Sequence, residues 1–339
     1  MRKFLLLGIV LVLFSCGSSQ KVTKNKGLYS VAFYNVENLF DTVPDPGKND
    51  AEYRPYGSKE WNTEKYTEKL KNIAKVLSEL GRNRTPQGPA VIGLAEVENR
   101  FVLHDLVKEP AIAATGYKIV HFEGEDRRGI DCALLYDPNQ FTVTSTTLIP
   151  HKYKNNDTTH LTRGFLLVKG KLAKSDLCVI VNHWPSRGAD APARIWAAQQ
   201  VKALTDSLAG RDRKLKIVVM GDMNDDPMDE SMAVALSAKK HIDEVAPGEF
   251  YNPWWETLED KGVGTLMYRG KWNLFDQIVL SYPLLNGKGL QYESHEVYKR
   301  DYLIQQDGQY KGSPLRTHGG RAWLNGYSDH LPTIVYLKR

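Results

Sequence analysis

Short apolar segments that stop at polar or turn-forming residues recur along the chain, and they constrain its fold more than any other feature of the sequence. They are rich in β-branched and aromatic residues, as β-strands are. We predict strands from them at residues 29–34, 90–95, 117–122, 132–136, 164–169, 177–182, 215–221, 274–280 and 332–337.

Two longer segments between the strands carry apolar residues at helical spacing. Residues 63–80 and 191–210 each place apolar side chains on one face, and Gly81 and Gly210 are expected to end the two helices. Helices distributed among many strands indicate a mixed α/β or α+β fold in which helices cover sheet faces, most simply as one domain over residues 28–339. The two apolar faces consist of Leu70, Ile73, Leu77 and Leu80, and of Ile195, Ala198, Val201 and Leu204.

Six of the predicted strands are bordered by carboxylate, amide or imidazole side chains. Taken singly, each has an ordinary structural explanation, because an Asn often caps a turn and a His often packs in a core. Taken together, they predict one polar pocket at one edge of the sheets. The residues are Asn35 with Glu37, Glu96, Asn182 with His183, Asp222 with Asn224, Asp276, and Asp329 with His330.

The segment VVMGDMNDDP, residues 218–227, is the densest of these polar strand ends. By itself it is equally compatible with a turn and with a metal site, because Asp, Asn, Gly and Pro also favour turns for backbone reasons. Side chains alternate along a strand, so Asp222 and Asn224 would point to the same side and could address one water or one metal ion.

A pocket of this composition supports metal-assisted attack of water on a phosphate ester. Carboxylate and amide oxygens suit Mg²⁺ or Mn²⁺, with Ca²⁺ as a third option. A histidine can transfer a proton near neutral pH, and a neighbouring carboxylate fixes its tautomer. The sequence offers no Ser, Thr or Cys nucleophile in a recognised triad setting, so these residues favour a metal-dependent hydrolase.

The chain begins with two cations, Arg2 and Lys3, and an unbroken apolar stretch over residues 4–14. This arrangement is typical of a secretory signal and is too short for a stable membrane-spanning helix, so we predict that residues 1–15 are a signal peptide. Residues 16–27 are polar and are expected to form a flexible tether.

The end of this signal, Leu13-Phe14-Ser15 followed by Cys16, resembles a bacterial lipobox. The resemblance implies that Cys16 is lipid-modified and anchors the protein in the cell envelope, at the outer membrane, facing either the periplasm or the cell surface. The alternative is a cysteine beside an ordinary cleavage site. Removing residues 1–15 would lower the formal net charge from +5 to +3, which suits a polyanionic substrate without requiring one.

Two further cysteines, Cys132 and Cys178, lie in strand-like apolar segments. Two arrangements are open from the sequence: a disulfide in an oxidising compartment, or two buried thiols that behave as small apolar side chains. Neither cysteine belongs to a spacing that is typical of a zinc site.

Seven motifs in a fixed order complete the pattern: FYNVEN, GLAEVEN, GIDCALLY, VNHWPS, GDMNDDP, FDQIVLS and SDHLP. In this order they resemble the endonuclease/exonuclease/phosphatase superfamily, which includes deoxyribonuclease I, over residues 28–339. The resemblance implies an α/β fold, a four-layer sandwich of two packed mixed β-sheets flanked by helices, with the active site where the strand ends converge.

Carried over to this sequence, the resemblance implies a metal site. Asn35 and Glu96 would serve the principal metal ion, with Glu96 as a direct ligand, and Asp329 would complete the metal side. Glu37 occupies a position where some family members have a metal-binding acid and others do not.

The resemblance also implies catalytic roles. Asp222 would orient and deprotonate the attacking water, and Asn224 beside it would contact phosphate or metal. His183 would contact the scissile phosphate and could protonate the leaving oxygen. His330 would bind the phosphoryl oxygens, oriented by Asp276.

The remaining candidates concern the substrate. Arg163, Asn182 and Arg187 are predicted substrate contacts, and Asp131 is the predicted partner of His183. Tryptophans near the predicted rim, interleaved with basic residues, suit stacked bases, a sugar edge or a membrane surface. These tryptophans are Trp61, Trp184, Trp254, Trp255 and Trp272.

Three functions are open from the sequence. The first is a secreted, lipid-anchored, monomeric nuclease or phosphodiesterase that acts on nucleic acid or another phosphodiester. The second is a phosphatase or phosphodiesterase that acts on lipid headgroups or small phosphate esters. The third is a binding lipoprotein that kept the fold and lost catalysis. Secreted nucleases share the NVENLF and NHWPSR segments, which favours the first.

Overall fold

The computed structural model of the protein describes residues 27–153 and 161–339. The predicted signal peptide, the predicted lipidation site Cys16 and the tether up to residue 26 lie outside the described residues. Among the residues that are described, no helix is both long enough and apolar enough to cross a membrane.

Strands and helices over these two ranges are numbered in chain order. The strands are β1 (Leu28–Leu39), β2 (Val91–Val97), β3 (Lys118–His121), β4 (Asp131–Tyr136), β5 (Phe141–Ile149), β6 (Phe165–Leu172), β7 (Ser175–His183), β8 (Lys216–Asp222), β9 (Ala238–Lys239), β10 (Phe250–Tyr251), β11 (Leu266–Tyr268), β12 (Lys271–Asn273), β13 (Asp276–Ser281), β14 (Gln291–Val297), β15 (His318–Gly319), β16 (Ala322–Trp323) and β17 (Thr333–Lys338). The α-helices are α1 (Thr63–Glu79), α2 (Arg100–Lys108), α3 (Pro110–Ala113), α4 (Ala191–Arg211), α5 (Trp254–Glu259) and α6 (Pro283–Asn286). Single turns of 3₁₀-helix cover Ala51–Tyr53, Ile242–Glu244 and Asp301–Leu303, and a π-helical turn covers Ser231–Ala235.

The longer strands form two mixed sheets. The first sheet has the strand order β14-β17-β1-β2-β4-β3, and the second has the order β5-β6-β7-β8-β13-β10-β9. In the first sheet β1 is parallel to β2 and antiparallel to β17. The second sheet repeats this arrangement, because β8 is parallel to β7 and antiparallel to β13.

The two sheets pack face to face around an apolar core. Side chains alternate along β1, so that Phe33 points into this core and Tyr34 points to the outer face of the sheet. Both faces are buried, which explains why the strand reads as an almost continuous apolar segment. Gly93 on β2 allows the sheets to approach closely, since a Cβ at this position would lie 2.5 Å from the sulfur of Met220 on β8.

Helices cover the outer faces of both sheets. Ile73 of α1 packs in the apolar cluster outside the first sheet, and Val201 of α4 packs in the cluster outside the second. Helix α1 begins after Asn62, whose side chain accepts a hydrogen bond from the backbone N–H of Lys65. The predicted four-layer α/β sandwich is confirmed.

Every predicted strand is present, although β1 continues to Leu39 and most other bounds shift by one or two residues. Helix α4 runs past Gly210 to Arg211, because Gly210 keeps a helical backbone instead of the left-handed conformation that ends many helices. The edge strands β5 and β14 and the helix α2 were not predicted from the sequence.

Both cysteines of the described chain are free and buried. Cys132 lies in the core between the sheets, whereas Cys178 lies in the cluster beneath α4. Of the two arrangements that the sequence left open, the structure therefore has two buried thiols. Burial raises the pKa of both, so neither thiol is activated as a nucleophile.

Candidate active site

Polar strand ends from both sheets meet at one edge of the molecule. In the register of the second sheet, Asp222 at the end of β8 lies opposite His183 on β7 and opposite Asp276 on β13. Across the space between the sheets, the Nδ2 atom of Asn35 on β1 donates a hydrogen bond to Asp222 Oδ2 at 3.0 Å. The strand order and the packing of the sheets therefore bring together side chains that are far apart in sequence.

Asn35 connects carboxylates from the two sheets. Its Nδ2 atom also lies 3.4 Å from Glu96 Oε1, and Glu96 Oε2 accepts the backbone N–H of Asn38. The Nε2 atom of His183 lies 3.5 Å from Asp222 Oδ2 and 3.9 Å from Glu96 Oε1. One amide, one imidazole and two carboxylates thus border a single small space.

The backbone at this edge is unusual. Four residues other than glycine have positive φ angles between +50° and +64°. Few residues with a side chain adopt this region. Strain of this kind persists where surrounding structure fixes it, often at functional sites. The residues are Glu37 (φ 50°), Asn38 (φ 51°), Glu96 (φ 64°) and Asn224 (φ 51°).

His330 and Asp276 form a buried pair. The Nδ1 atom of His330 lies 2.7 Å from Asp276 Oδ2, while its Nε2 atom points toward Asp222 Oδ2 at 3.8 Å. Burial lowers the pKa of His330, but the carboxylates of Asp276 and Asp222 outweigh it and raise this pKa well above its ordinary value. His330 is therefore an imidazolium near neutral pH.

His183 has the opposite electrostatic character. Burial lowers its pKa well below the ordinary value, and the positive charges of Arg163, Arg128 and His330 lower it further. Its Nδ1 atom is buried without a hydrogen-bond partner. His183 is therefore a neutral imidazole that can accept a proton or bind a cation through Nε2.

Asp131 was predicted to be the partner of His183, and the structure gives it a different neighbour. Its Oδ2 atom lies 3.3 Å from Nε2 of His121 on the adjacent strand β3. The reason is the strand order, because β4 pairs with β3 within the first sheet, whereas β7 belongs to the second sheet. His121 was not identified from the sequence.

Asp222 and Asn224 do not point the same way. Strand β8 ends at Asp222, and the positive φ of Asn224 turns its side chain so that Nδ2 donates to the carbonyl oxygen of Trp184. The alternation of a strand therefore does not extend to Asn224. Burial raises the pKa of the Asp222 carboxyl to about 6, although the charge of His330 counteracts this effect.

Glu37 and Asp329 lie on one side of this cluster and share an arginine. Glu37 Oε2 accepts the backbone N–H of Thr317 at 2.7 Å, and its Oε1 lies 3.6 Å from Arg316 Nε. Arg316 also donates to Asp329 Oδ2 at 2.6 Å. Burial and the charge of Asp329 raise the pKa of Glu37 to about 7, while Lys69 and Arg316 oppose the rise.

The predicted substrate-binding residues are engaged with the protein itself. Arg163 donates to Asp126 Oδ2 and to the Trp184 carbonyl oxygen. Both amide atoms of Asn182 are satisfied by the Ile180 and Met220 carbonyls and by the Trp184 indole. The contacts of Arg187 are Asn224 O, Asn273 Oδ1, Asp226 Oδ2 and Asp229 Oδ2.

Most of the tryptophans proposed for stacking are not available at the surface. Trp61, Trp184 and Trp254 are fully buried, whereas Trp255 and Trp272 are partly exposed. Lys299 lies over the ring of Trp272 at 4.7 Å from its centroid. The rim therefore offers fewer exposed indoles than the sequence suggested.

Arg128 is a basic residue of the site that was not predicted from the sequence. Its guanidinium lies 3.5 Å from Glu96 Oε1 and donates to Asn38 Oδ1, while about half of the side chain remains exposed. Its place in EDRRGID, just before a recognised motif, was the available signal. A cation this close to the carboxylate cluster is well placed to contact a bound anion.

The donor set fits a hard divalent cation. Within the described part of the chain, the amide of Asn35, the half-exposed Arg128 and the imidazole of His183 lie close to Glu96 Oε1. A carboxylate oxygen of Asp222 and one of Asp276 also lie within 4.8 Å of each other and of the His330 ring, which as an imidazolium pairs with Asp276 and is not itself a ligand. Carboxylate and amide oxygens with few competing donors are the ligands that Mg²⁺ and Mn²⁺ prefer.

The chain matches a known protein family and is similar in fold to solved structures. A model described as Endonuclease/Exonuclease/phosphatase family matches residues 30–339. No curated protein sequence matches the chain. Among solved structures, ANGEL2, a 2',3'-cyclic phosphatase, superposes with a TM-score of 0.60 and 16% identity over 94% of this chain and 99% of that chain.

Two further structures have the same fold. The human Nocturnin catalytic domain with bound sulfate gives a TM-score of 0.57 at 16% identity, over 92% of this chain and 93% of that chain. D. rerio TDP2 complexed with a single strand DNA product gives 0.56 at 13% identity, over 92% and 99%. At these identities the similarity establishes the fold alone.

Proposed function

The chain belongs to the endonuclease/exonuclease/phosphatase family, and from this premise we propose that it is a divalent-metal-dependent hydrolase of phosphate esters. The observation that carries the proposal is the continuous set of contacts from Asp276 through His330, Asp222 and Asn35 to Glu96. It joins an imidazolium, a carboxylate base and a cation-binding carboxylate at one edge of two sheets.

Glu96 and Asn35 would hold the metal ion. Bound there, a Mg²⁺ or Mn²⁺ ion polarises a phosphoryl oxygen and stabilises developing negative charge. The Glu96 carboxylate is kept in place by the Asn38 backbone N–H and by the Asn35 amide. Metal roles for Glu37 and Asp329 stay predictions, because Arg316 and Thr317 already contact their carboxylates.

Asp222 would activate the attacking water. Its Oδ1 atom is fixed by the Asn224 backbone N–H, and its Oδ2 atom is fixed by Asn35 Nδ2. A carboxyl group whose pKa is about 6 is mostly ionised at neutral pH and is a stronger base than an ordinary aspartate.

The two histidines have different proposed roles. His330, charged and held by Asp276, would bind the phosphoryl oxygens and stabilise the negative charge of the transition state. His183, neutral and directed toward Asp222 and Glu96, would contact the scissile phosphate. Arg128 supplies a further positive charge beside Glu96.

We favour a phosphodiester of nucleic acid as the substrate, supported by the basic net charge and by the motifs shared with secreted nucleases. A small phosphate ester or lipid headgroup is the second candidate. It is favoured by the burial of Trp61, Trp184 and Trp254, since buried indoles cannot stack with bases.

One panel tests the activity and separates the two substrates. Plasmid DNA, RNA, sphingomyelin and bis(p-nitrophenyl) phosphate would each be incubated with the protein and Mg²⁺, Mn²⁺ or EDTA. We expect hydrolysis that depends on the metal ion and that is abolished in Glu96→Gln. Glu249→Gln is the control and should keep the activity, because Glu249 pairs with Lys239 at 3.2 Å and is not part of the proposed site. Full activity in excess EDTA would refute the proposal.

We also propose that the protein is a monomer anchored to the outer membrane through a lipidated Cys16, with residues 16–27 as the tether. The lipobox-like end of the apolar segment supports the anchor. Cys16→Ser should release the protein from the membrane fraction or block its processing. Wild-type protein in the soluble periplasmic fraction, with another N-terminal residue, would contradict the anchor, and size-exclusion chromatography in detergent would test the monomer.

A further inference from the structure

A second group of metal-ligand side chains lies on β3, β4 and the segment between them. His121 ends β3, Asp131 begins β4, and Glu123 lies two residues after His121. One ligand atom from each of the three side chains lies within 4.8 Å of the other two. The group shares no residue with the set that joins Asp276 to Glu96.

The imidazole of His121 indicates that this group binds a ligand. Only 1% of the His121 side chain is exposed, and its Nε2 atom is buried without a hydrogen-bond partner. Nε2 lies 3.3 Å from Asp131 Oδ2, yet the two atoms do not form a hydrogen bond. A buried imidazole nitrogen without a partner costs free energy, and a cation bound by both atoms would remove that cost.

The other two positions suit the same cation. An oxygen of the Glu123 carboxylate lies within 4.8 Å of the ligand atoms of His121 and Asp131, and 63% of the Glu123 side chain is exposed, which leaves a path to solvent. Lys48 Nζ donates to the carbonyl oxygens of Gly124 and Asp126 and so fixes the segment after Glu123. His121 and Asp131 are fixed by their places on β3 and β4, so these two ligands are held in position before any cation binds.

We propose that His121, Glu123 and Asp131 form a second divalent-cation site, separate from the one assigned to Glu96. One imidazole nitrogen and two carboxylate oxygens suit Mn²⁺ or Zn²⁺, whereas Mg²⁺ prefers oxygen ligands only. In the register of β2 and β4, Asp131 lies opposite Val97, the residue that follows Glu96. The site therefore borders the catalytic edge without depending on the proposed hydrolysis.

Mn²⁺ binding to the full chain in detergent tests the proposal. Free Mn²⁺ would be measured by electron paramagnetic resonance during titration of wild-type protein, Glu123→Gln and Glu96→Gln. Glu123 is exposed, so its substitution should not disturb folding. Glu256→Gln is the matched control, because it breaks an exposed pair with His241 at 3.3 Å.

We expect Glu123→Gln to raise the dissociation constant of one bound Mn²⁺ by at least about tenfold. Loss of a residue that only positions a metal ligand typically costs about 10–100-fold in metal affinity, and loss of the ligand itself should cost no less. The control should bind as wild type does. Mn²⁺ that remains bound to Glu96→Gln should show nitrogen coupling in pulsed spectra, and this coupling should disappear when His121→Gln is added.

Two results would overturn the site: a Glu123→Gln isotherm that superposes on wild type, or bound Mn²⁺ without nitrogen coupling in Glu96→Gln. The proposed hydrolase fails by a different result. If Glu96→Gln neither changes the isotherm nor lowers phosphodiester hydrolysis while Glu123→Gln loses one equivalent, the second site stands and the catalytic assignment falls.

Discussion

Replacing Asp276 by Asn separates catalysis from stability. Asp276 Oδ2 lies 2.7 Å from His330 Nδ1, and its Oδ1 atom is buried without a partner. Asn has the same shape and no charge, so His330 loses the nearest carboxylate that keeps it protonated. If the amide nitrogen faces Nδ1, it also forces the other tautomer of His330.

The expected cost follows from these contacts. Removing one preorganised group that stabilises transition-state charge costs about 10²–10³-fold in rate, or about 3–4 kcal/mol. The melting temperature should change little, because His330 can release its proton and leaves no unpaired buried charge behind. The pKa of His330 should fall toward its ordinary value, so the alkaline limb of the pH–rate profile should move to lower pH.

Single-turnover hydrolysis of bis(p-nitrophenyl) phosphate across pH, together with thermal unfolding, measures both effects. Asp137→Asn is the control, since Asp137 is also buried but accepts hydrogen bonds from Asn139 and Gln140 in a turn. A folded Asp276→Asn protein with the wild-type rate and pH profile would remove the His330–Asp276 pair from the mechanism.

Three further outcomes are expected. His183→Gln and His330→Gln should each lower kcat by about 10²-fold or more with little change in Tm. In single-turnover assays, the rate of the double variant should fall by less than the product of the two single effects. Arg187→Ala should lower Tm while leaving KM unchanged, since its partners are Asp226 and Asp229; a raised KM alone would contradict this. Burial lowers the pKa of His295 to about 4, so the contribution of His295 to stability should be constant above pH 6.5 and should be lost toward pH 4. Over this acid range Tm should therefore fall less steeply with pH in His295→Gln than in the wild-type protein.

The central strands could be predicted because both of their faces are buried. Every residue of β8 is buried, and from Ile217 its sequence carries no polar side chain until the strand ends at Asp222. The edge strands β5 and β14 lack this signal. β5 is buried at Phe141 and half-buried or exposed beyond it, with threonine and serine over much of its length, and β14 is only partly buried, so neither reads as an apolar segment. Helix α2 spans nine residues, too few for a clear helical period.

The carboxylates and imidazoles at the strand ends could be predicted to lie at the site, but Arg128 and the partners of these side chains could not. A strand that ends in a carboxylate or imidazole places that group where the strand ends meet, whichever strands lie beside it. The partner depends on strand order, which the apolar segments do not encode. Asp131 contacts His121 because β3 is the neighbour of β4, and Arg187 pairs with Asp226 because both lie in loops of the second sheet.

Asn224 shows where local periodicity stops being informative. The spacing of Asp222 and Asn224 predicts a shared direction only while the strand continues, and the strand ends at Asp222. Beyond it, the positive φ of Asn224 lets its backbone N–H bind Asp222 Oδ1 while its side chain holds the Trp184 carbonyl. The turn and the candidate active site are therefore the same structure, because the turn residue holds the proposed base in place. The two interpretations of GDMNDDP that the sequence left open do not compete.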